Sequence, residues 1–328
     1  MILALETSCD DTCAAVLGGD GVLRSNVISS QGVHDLYGGV VPEVASRHHL
    51  ELVNRVVDDA LHRADTSLDA IDLVAVTRGP GLVGALLVGL QTAKGLAAAR
   101  RLPLAAVDHL QGHVAAVFLG PDALEPPFLC LIASGGHTLL AEVRDHRGFR
   151  LLGQTLDDAA GEAFDKGARM LGLPYPGGPA LERLAADGDP EAFDFPTARG
   201  VEGLDFSFAG LKTSLLYRVR ELGEEEAGRR RADLAASYQR AIVEALVVRV
   251  ERALQSTGLR RLALGGGVAA NGPLRERVRS LADEVAVPPP ELCTDNAAMI
   301  ASAARFAPAL EYPDYLALDA YATGEVPA

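Results

Sequence analysis

The segment MILALETSCDDTCAAVLGGDGVLRSNVIS (1–29) and the segment FLCLIASGGHTLLAEVRDHRGFRLLGQT (128–155) follow one pattern. Each starts with a short apolar run typical of a buried strand, passes through a polar or glycine-containing turn, and continues with two more strand-like runs. Helical periodicity then appears over 42–64 after the first segment and over 157–171 after the second. The repetition predicts an α/β protein with two similar lobes and a central cleft.

The rest of the chain alternates between strands and helices in the same way. We predict an N-terminal lobe of residues 1–120 and a C-terminal lobe of residues 121–328, because prolines cluster near that boundary. The helix that begins near residue 296 is a candidate to pack back on the N-terminal lobe. The segment YPGGP (175–179) is predicted to be a rigid loop that could line a pocket, and 187–214 is predicted to be irregular.

The composition limits the class of protein. Hydrophobic residues make up 48% of the 328 residues, which is enough for a large core and too much for a disordered chain. The most apolar stretch, 82–99, contains Gln91 and Lys94, so we predict a buried helix and no membrane span. The start of the chain lacks the basic residues of a signal peptide, and the four cysteines lack CxxC spacing. A cytoplasmic protein with reduced thiols is therefore expected.

The net charge of −14 opposes binding of a nucleic-acid backbone unless local basic patches overcome the overall field. Arginine clusters occur at 218–220, 229–231, 260–261 and 275–279. Solvated helix faces would explain these clusters without any ligand. Charge alone therefore favours a small-molecule enzyme, and a nucleic-acid substrate would need other evidence or help from a partner.

The motif HLQGH (109–113) places two imidazoles four residues apart. On a helix, which Asp108 could cap, His109 and His113 would lie on one face and could share a metal ion. Two unrelated histidines are the alternative on spacing alone. A zinc protease would need a glutamate directly after the first histidine as general base, and Leu110 holds that place. The motif therefore favours a metal site without protease chemistry.

Three loops have a form that lets backbone N–H groups approach a phosphate, namely 7–12, 134–138 and 265–267 with the nearby Asn271. A fourth glycine-rich loop, 79–84, is explained equally well by close helix packing. The three loops predict a phosphate-bearing small molecule as the ligand.

Two further carboxylates are candidates for ligand or metal contacts. Asp165 lies in an acidic helical segment that a solvated face would explain, and it could instead accept hydrogen bonds from ligand hydroxyls. Asp295 stands at a predicted helix start, where N-capping would explain it. It is also a candidate third metal ligand, since two imidazoles and one carboxylate suit a divalent transition metal with open positions.

Nine sequence blocks, in order and across nearly the whole chain, resemble the bacterial tRNA adenosine N6-threonylcarbamoyltransferase family, once described as O-sialoglycoprotein endopeptidases or glycoproteases. The blocks are ETSCDDT (6–12), PEVASRHH (42–49), RGPGLVGALLVGLQTAKGLA (78–97), HLQGH (109–113), ASGGHT (133–138), DDAAGEAFDKGARMLGLPYPGGPALE (157–182), DFSFAGLKTS (205–214), GGGVAAN (265–271) and CTDNAAMIA (293–301). The resemblance implies the superfold of actin, sugar kinases and heat-shock ATPases, with two ribonuclease-H-like lobes.

The resemblance also implies an activity. The family moves the threonylcarbamoyl group from threonylcarbamoyl-AMP to N6 of the adenosine 3′ of the anticodon, in tRNAs that read ANN codons, and releases AMP. It implies one divalent ion per subunit, Fe²⁺ or Zn²⁺, on His109, His113 and Asp295. It implies adenylate contacts at Ala133, Ser134, Gly135, Gly136, His137, Asp165, Gly178, Glu182 and Asn271. The implied partners are tRNA, a paralogous non-catalytic subunit and a small P-loop ATPase.

Two positions depart from the family's pattern. Gln111 stands where relatives often carry an acid, which predicts altered metal affinity with ligation retained. Asp11 stands where many relatives have glutamate, which shortens the reach of that group. We expect metal-assisted acyl transfer, with Asp11 or Asp10 as candidate proton acceptor from the adenosine amine.

Two alternatives stay open. An ATP-dependent kinase or ATPase of the same superfold would bind ATP and Mg²⁺ at the first and last glycine loops and use the histidines structurally. A subunit that is inactive without partners would use the apolar helix faces at 42–64 and 86–100 for docking. Metal analysis tests the first alternative, and reconstitution with and without partners tests the second.

Overall fold

The computed structural model describes residues 1–37, 39–120, 123–197 and 200–322, and the chain divides into two compact units. Unit 1 comprises Met1–Ala123, His146–Gly148 and Glu291–Ala328, and unit 2 comprises Leu124–Asp145 and Phe149–Pro290. Pro121, on which the predicted boundary partly rests, lies outside the described residues. The chain returns to unit 1 at Glu291, and the helix predicted to begin near residue 296 lies in this returning part.

Unit 1 is one six-stranded sheet with helices packed on it. Its strands are β1 (Ile2–Glu6), β2 (Asp11–Leu17), β3 (Leu23–Ser30), β4 (Leu73–Gly79), β5 (Leu104–Asp108) and, late in the chain, β11 (Ala309–Leu310). Its helices are α1 (Pro42–Arg63), α2 (Val83–Arg100) and α3 (His109–Ala115), with α9 (Pro290–Cys293) and α10 (Ala297–Ala304) near the C-terminus. The strand order is β11-β5-β4-β1-β2-β3, and β1 pairs antiparallel with β2 and parallel with β4.

Unit 2 repeats this plan with five strands. They are β6 (Phe128–Ala133), β7 (Thr138–Asp145), β8 (Gly148–Gln154), β9 (Arg261–Gly265) and β10 (Glu284–Ala286), in the order β10-β9-β6-β7-β8. Its helices are α4 (Ala160–Met170), α5 (Gly177–Ala185), α6 (Ala209–Arg229), α7 (Arg231–Thr257) and α8 (Gly272–Arg279). β6 pairs antiparallel with β7 and parallel with β9, as β1 does with β2 and β4, which confirms the predicted duplication.

The core of unit 1 explains why the C-terminal residues belong to it. Strand β1 is almost continuously buried, as expected for a strand covered on both faces. All eight residues of α10 are buried, and this helix packs on β1 and β2. A helix that is apolar all round must be enclosed, so residues 297–304 complete this core. Tyr315, fully buried, extends the same core.

Helix α2 confirms the prediction of a buried helix over the most apolar stretch, because eight of its residues are buried, among them Leu86, Leu90 and Lys94. Among the described residues, none of the helices combines the length and apolar character needed to cross a membrane.

Three local predictions were wrong, and long-range hydrogen bonds explain them. Helix α6 begins at Ala209, inside the stretch 187–214 that was predicted to be irregular. Helix α5 begins at Gly177, inside the predicted loop, because Asp165 Oδ1 accepts a hydrogen bond from the Gly177 N–H at 2.8 Å. Helix α4 begins at Ala160 and not at residue 157. Asp157 Oδ1 instead accepts from the N–H groups at the start of α6, 2.7 Å from Phe208 N. The Asp157 side chain, which the local pattern assigned to α4, therefore caps the start of the distant helix α6.

A buried polar network ties the loop after β1 to helix α1. His49, fully buried, lies with Nδ1 2.8 Å from Thr12 Oγ1 and Nε2 3.0 Å from the Cys9 carbonyl oxygen. Since a carbonyl only accepts, Nε2 carries the proton and Nδ1 accepts from the threonine hydroxyl. Gln31 Oε1 in turn accepts from His34 Nε2 at 3.0 Å. Burial lowers the pKa of His49, although the Cys9 carbonyl opposes this.

Acid is expected to destabilise the protein through His49. Because its folded pKa is lowered, its stabilisation is complete above the unfolded pKa of about 6.5 and is lost as the pH falls through the folded value. A His49→Gln variant keeps polar atoms that do not titrate. Its free energy of unfolding in urea should therefore depend less steeply on pH between about 7 and about 5. His48→Gln is the matched control, and identical slopes in wild type and both variants would contradict the prediction.

Candidate functional site

The three predicted metal ligands come together in unit 1. His109, His113 and Asp295 each offer a ligand atom, and these atoms all lie within 4.8 Å of one another. Asp295 Oδ1 is 3.2 Å from His113 Nε2 and 3.6 Å from His109 Nε2. Both histidines are buried, whereas the Asp295 side chain is 23% exposed. The group could therefore hold a metal ion that solvent or a substrate reaches from the aspartate side.

Helix α3 presents the two histidines because its start is fixed. Asp108 Oδ1 accepts hydrogen bonds from Leu110 N at 2.8 Å and Gln111 N at 3.0 Å, so the predicted N-cap is confirmed. The four-residue spacing then puts His109 and His113 on one face, with ring centroids 4.7 Å apart.

Helix α10 brings Asp295 to that face. Gly112 permits the close approach of the two helices, because a Cβ there would lie only 2.7 Å from Ile300 Cδ1. Asn296, not Asp295, caps α10, since Asn296 Oδ1 accepts from Met299 N at 2.9 Å. N-capping therefore does not explain Asp295, and its carboxylate faces the two imidazoles.

Glu6 is a site residue that the sequence did not reveal. It ends β1, is fully buried, and lies with Oε2 3.0 Å from His109 Nδ1. Oε2 also accepts from Thr77 Oγ1 at 2.5 Å, and Oε1 accepts from Ser8 N at 2.5 Å. A carboxylate that accepts the Nδ1 proton leaves Nε2 as the ligand atom, the usual arrangement behind a metal-bound histidine. A glutamate at the end of an otherwise apolar strand was the available signal.

The charges of the group suit a cation. Burial alone would lower the pKa of His109, but Asp295 and Glu6 raise it to about 9. The ion-free protein thus holds a proton where a metal would bind, and metal binding would displace it. Within the described part of the chain, the buried Nε2 of His113 makes no hydrogen bond, although Asp295 Oδ1 lies 3.2 Å away. A buried imidazole needs a polar partner, and a metal ion would provide one. The residues therefore fit the implied ion.

The predicted proton acceptors lie at the start of β2. Asp11 pairs in register with Ser30, and both Asp10 and Asp11 are partly exposed. Burial raises the pKa of Asp11, Ser30 opposes this, and Asp295 and Asp10 add to it, which brings it to about 7. A carboxylate in this range can take up and release a proton near neutral pH.

The first glycine loop of unit 2 is a closed turn. Ala133 ends β6 fully buried, and Ser134 N donates to the His137 carbonyl at 2.8 Å. His137 N donates to Ser134 Oγ at 3.0 Å. Gly135 and Gly136 at the tip are exposed, with open space beside each Cα. The tip can therefore meet a ligand through its backbone.

Helix α4 supports this turn through Gly161, whose N–H donates to the Ser134 carbonyl at 3.0 Å. A Cβ at Gly161 would lie 2.6 Å from the Ser134 oxygen and 2.9 Å from Gly135 Cα, both backbone atoms. Gly161→Ala should therefore shift the turn and lower the free energy of unfolding by about 1–3 kcal/mol, measured in urea. Gly228→Ala, a helical site with open space, is the control. Equal stability of the two variants would disprove the tight contact.

Asp165 and Gly178, both predicted to contact a ligand, meet at the start of α5. The Asp165 carboxylate accepts from the backbone N–H groups of Gly177 and Gly178. Burial raises the pKa of Asp165, and these two hydrogen bonds oppose the rise. The carboxylate thus orders the loop as well as being a candidate for ligand contact.

Glu182 and Asn271 also meet. Glu182 Oε1 accepts from Gly272 N at 2.9 Å, and its Oε2 accepts from Asn271 Nδ2 at 3.2 Å. Asn271 Nδ2 donates to Gln239 Oε1 at 2.9 Å, while its Oδ1 caps α8 at Leu274 N. Gln239, which the sequence did not indicate, thereby fixes the orientation of the Asn271 amide. All nine predicted adenylate contacts lie in unit 2, and all three predicted metal ligands lie in unit 1.

The arginine clusters are largely paired with carboxylates. The pairs, with their shortest distances, are Arg218–Glu221 (2.8 Å), Arg229–Glu226 (2.9 Å), Arg230–Asp233 (3.1 Å), Arg260–Asp283 (2.5 Å), Arg261–Glu284 (2.8 Å) and Arg277–Glu244 (3.2 Å). Such pairing weakens the positive field that a phosphate backbone would meet. Solvated helix faces therefore explain these arginine clusters more simply than a nucleic-acid binding site does.

Comparison with known proteins gives a family. The sequence matches the tRNA N6-adenosine threonylcarbamoyltransferase family (TsaD) over residues 21–302. Enzymes of that name from Symbiobacterium thermophilum and an Anaeromyxobacter species are 53% and 56% identical, each over 92% of this chain and 90% and 92% of their own.

A solved structure shows the same fold. The activator of 2-hydroxyisocaproyl-CoA dehydratase from Clostridium difficile superposes with a TM-score of 0.55 at 15% identity, over 93% of each chain. The duplicated sheets agree with the expected ribonuclease-H-like, actin-like ATPase fold. From its sequence identity over almost its whole length, the chain belongs to the tRNA N6-adenosine threonylcarbamoyltransferase family and is a transferase that modifies tRNA.

Proposed function

We propose that this enzyme moves the threonylcarbamoyl group from threonylcarbamoyl-AMP to N6 of the adenosine 3′ of the anticodon, in tRNAs that read ANN codons. The observation that carries the proposal is the buried group of His109, His113 and Asp295 in a chain of this family. A kinase of the same superfold would leave the buried Nε2 of His113, which faces Asp295, without a role.

The first part of the proposal concerns the ion. His109, His113 and Asp295 would hold one Fe²⁺ or Zn²⁺, for which two imidazoles and a carboxylate are suitable donors. Such an ion would supply Lewis-acid stabilisation of negative charge on the carbamoyl oxygen. Glu6 keeps the Nδ1 proton of His109 in place, so that Nε2 stays available.

The second part concerns the adenylate. The backbone at Ser134, Gly135 and Gly136 would bind the phosphate, and the exposure of Gly135 and Gly136 at the tip of the turn supports this role. Ala133 and His137 would flank the phosphate. The remaining contacts, to sugar and base, would come from Asp165, Gly178, Glu182 and Asn271.

The third part concerns the bonds that change. The adenosine nitrogen forms a bond to the carbamoyl carbon, the bond from that carbon to the phosphate oxygen breaks, and AMP leaves with the electron pair. The proton of the adenosine amine passes to Asp11, with Asp10 as the alternative acceptor. A bound cation would offset the charge of Asp295 and so lower the pKa of Asp11 below its ion-free value of about 7.

The fourth part concerns partners. We propose that a paralogous non-catalytic subunit and a small P-loop ATPase act with this chain in the cytoplasm and supply part of the tRNA-binding surface. The net charge of −14 and the pairing of the arginine clusters support such help.

The test is transfer of labelled threonylcarbamoyl from its adenylate to purified tRNA, with and without a chelator and with and without the two partners. The proposal expects labelled tRNA and AMP in equal amounts, loss of transfer with the chelator, and recovery on adding Fe²⁺ or Zn²⁺. Transfer that survives full metal removal would reject the ion's role. Failure of transfer from the adenylate, together with hydrolysis of ATP or transfer of its γ-phosphoryl group, would favour the kinase alternative.

A further inference from the structure

The C-terminal segment 311–322 is fastened to unit 1 by side chains from β4 and α2. Lys94 Nζ on α2 donates to the Leu318 carbonyl at 2.6 Å. Arg78 Nε on β4 donates to the Asp319 carbonyl at 2.8 Å. The segment thus follows a defined path that ends, within the described residues, at the loop leading into α3.

Tyr321, near the end of this segment, is buried like Tyr315 and contacts the start of α3. It is only 9% exposed, and its hydroxyl oxygen lies 2.5 Å from Asp108 Oδ2 and 2.9 Å from the Gly79 carbonyl oxygen. The hydroxyl has one hydrogen, and the closer, charged carboxylate is the stronger acceptor. Burial and the Asp108 carboxylate both raise the pKa of Tyr321, so the hydroxyl stays a donor.

The ring of Tyr321 has a separate function from its hydroxyl. It packs over Gly79, where an added Cβ would lie 2.8 Å from two ring carbons, and the Arg78 guanidinium lies 5.7 Å from the ring centroid. The ring therefore holds the segment in place, and the hydroxyl alone contacts the cap of α3. The hydroxyl oxygen can therefore be removed by mutation while the ring still holds the segment in place.

Asp108 connects the hydroxyl to the metal group. Its Oδ1 caps the first turn of α3, which begins with His109, while its Oδ2 accepts from Tyr321. With both oxygens engaged, the carboxylate has one orientation, and the cap hydrogen bonds fix the helix start that carries His109 and, one turn on, His113. Neither the family motif nor any local pattern includes Tyr321.

We propose that Tyr321 is a positioning residue for the metal group: its hydroxyl fixes Asp108, and Asp108 fixes the start of the helix that presents His109 and His113. The inference rests on the proposed function only in taking these histidines as ligands. Partners that touch a ligand directly change metal affinity by about 10–100-fold. Tyr321 acts one hydrogen bond further away, so a loss of about 3–10-fold is expected.

The test uses the full-length, metal-free protein titrated with Zn²⁺ against a chromophoric chelator. Tyr321→Phe removes the hydroxyl and keeps the ring, and its zinc dissociation constant should rise about 3–10-fold. Tyr312→Phe, at a 58% exposed position of the same segment, is the matched control and should bind as wild type does. Tyr321→Phe should lower the urea midpoint of unfolding only slightly, by the cost of one buried hydrogen bond, because the ring contacts persist.

A double-mutant cycle checks the route through Asp108. Asp108→Ser keeps an N-cap acceptor but is too short to reach Tyr321. In that background Tyr321→Phe should cause no further loss of zinc affinity. An equal loss in both backgrounds, or wild-type affinity in Tyr321→Phe alone, would overturn the proposal. Absence of zinc binding by the wild-type protein would instead reject the metal group itself and this inference with it.

Discussion

Replacement of His109 by alanine is expected to remove the bound metal and to lower threonylcarbamoyl transfer to tRNA by at least about 100-fold. The imidazole supplies one of three ligand atoms that lie within 4.8 Å of one another, and two remaining ligands hold a divalent ion poorly. The measurements are metal content of the purified protein and single-turnover transfer from threonylcarbamoyl-AMP.

Two further variants make this result interpretable. His109→Ala also leaves the buried Glu6 carboxylate without its imidazole, so it could lose stability as well as metal. Asp295→Asn changes a ligand that is 23% exposed and should lose metal with less effect on folding. His62→Ala, at an exposed position near the end of α1, should retain both metal and activity. Full transfer by a metal-free His109→Ala protein would show that the metal ion is not needed for the reaction.

Replacement of Glu6 by glutamine is the second large expected effect. Glutamine has the same shape, but one of its two end atoms donates where glutamate only accepts. If the amide nitrogen faces His109, it meets the Nδ1 proton, and the imidazole must move that proton to Nε2, where the metal binds. If it faces the other way, it meets the Ser8 N–H, which lies 2.5 Å from Oε1. The first orientation therefore blocks the ligand atom Nε2, and the second leaves two donors facing each other in a buried site.

We therefore expect Glu6→Gln to weaken Zn²⁺ binding by about 10–100-fold and to lower the free energy of unfolding by about 1–3 kcal/mol. Chelator competition measures the first effect and urea unfolding the second. Glu43→Gln, on the exposed start of α1, is the control for loss of a carboxylate. A Glu6→Gln protein that binds zinc with wild-type affinity would show that Glu6 does not orient His109.

The duplicated strands were predictable because a central strand that is buried on both faces has a continuous run of apolar residues in its sequence. ILALE in β1 and FLCLIA in β6 are such runs, and each is followed by a polar turn and an antiparallel partner. The grouping of His109 with His113 was predictable because helical spacing alone places them on one face.

Other features depend on contacts between distant residues and leave no local pattern. The buried environment of Glu6 arises only where residues 8, 77 and 109 meet. The start of α5 within YPGGP depends on an acceptor from Asp165, and composition alone favoured a loop. Asn296 and Asp295 are equally good N-caps by residue type, and only the fold shows which one is used.

The late return of the chain to unit 1 has a consequence for biosynthesis. Strand β11 pairs with β5 across about two hundred residues of sequence, and α10 lies against β1 and β2, the first strands made. A ribosome that adds roughly 5–20 residues per second needs on the order of ten to thirty seconds to make residues 124–290. During that interval the nascent N-terminal sheet lacks the helix that covers one of its faces, while unit 2 is still being made. We therefore expect the apolar faces of β1 and β2 to stay uncovered until residues 297–304 have left the exit tunnel.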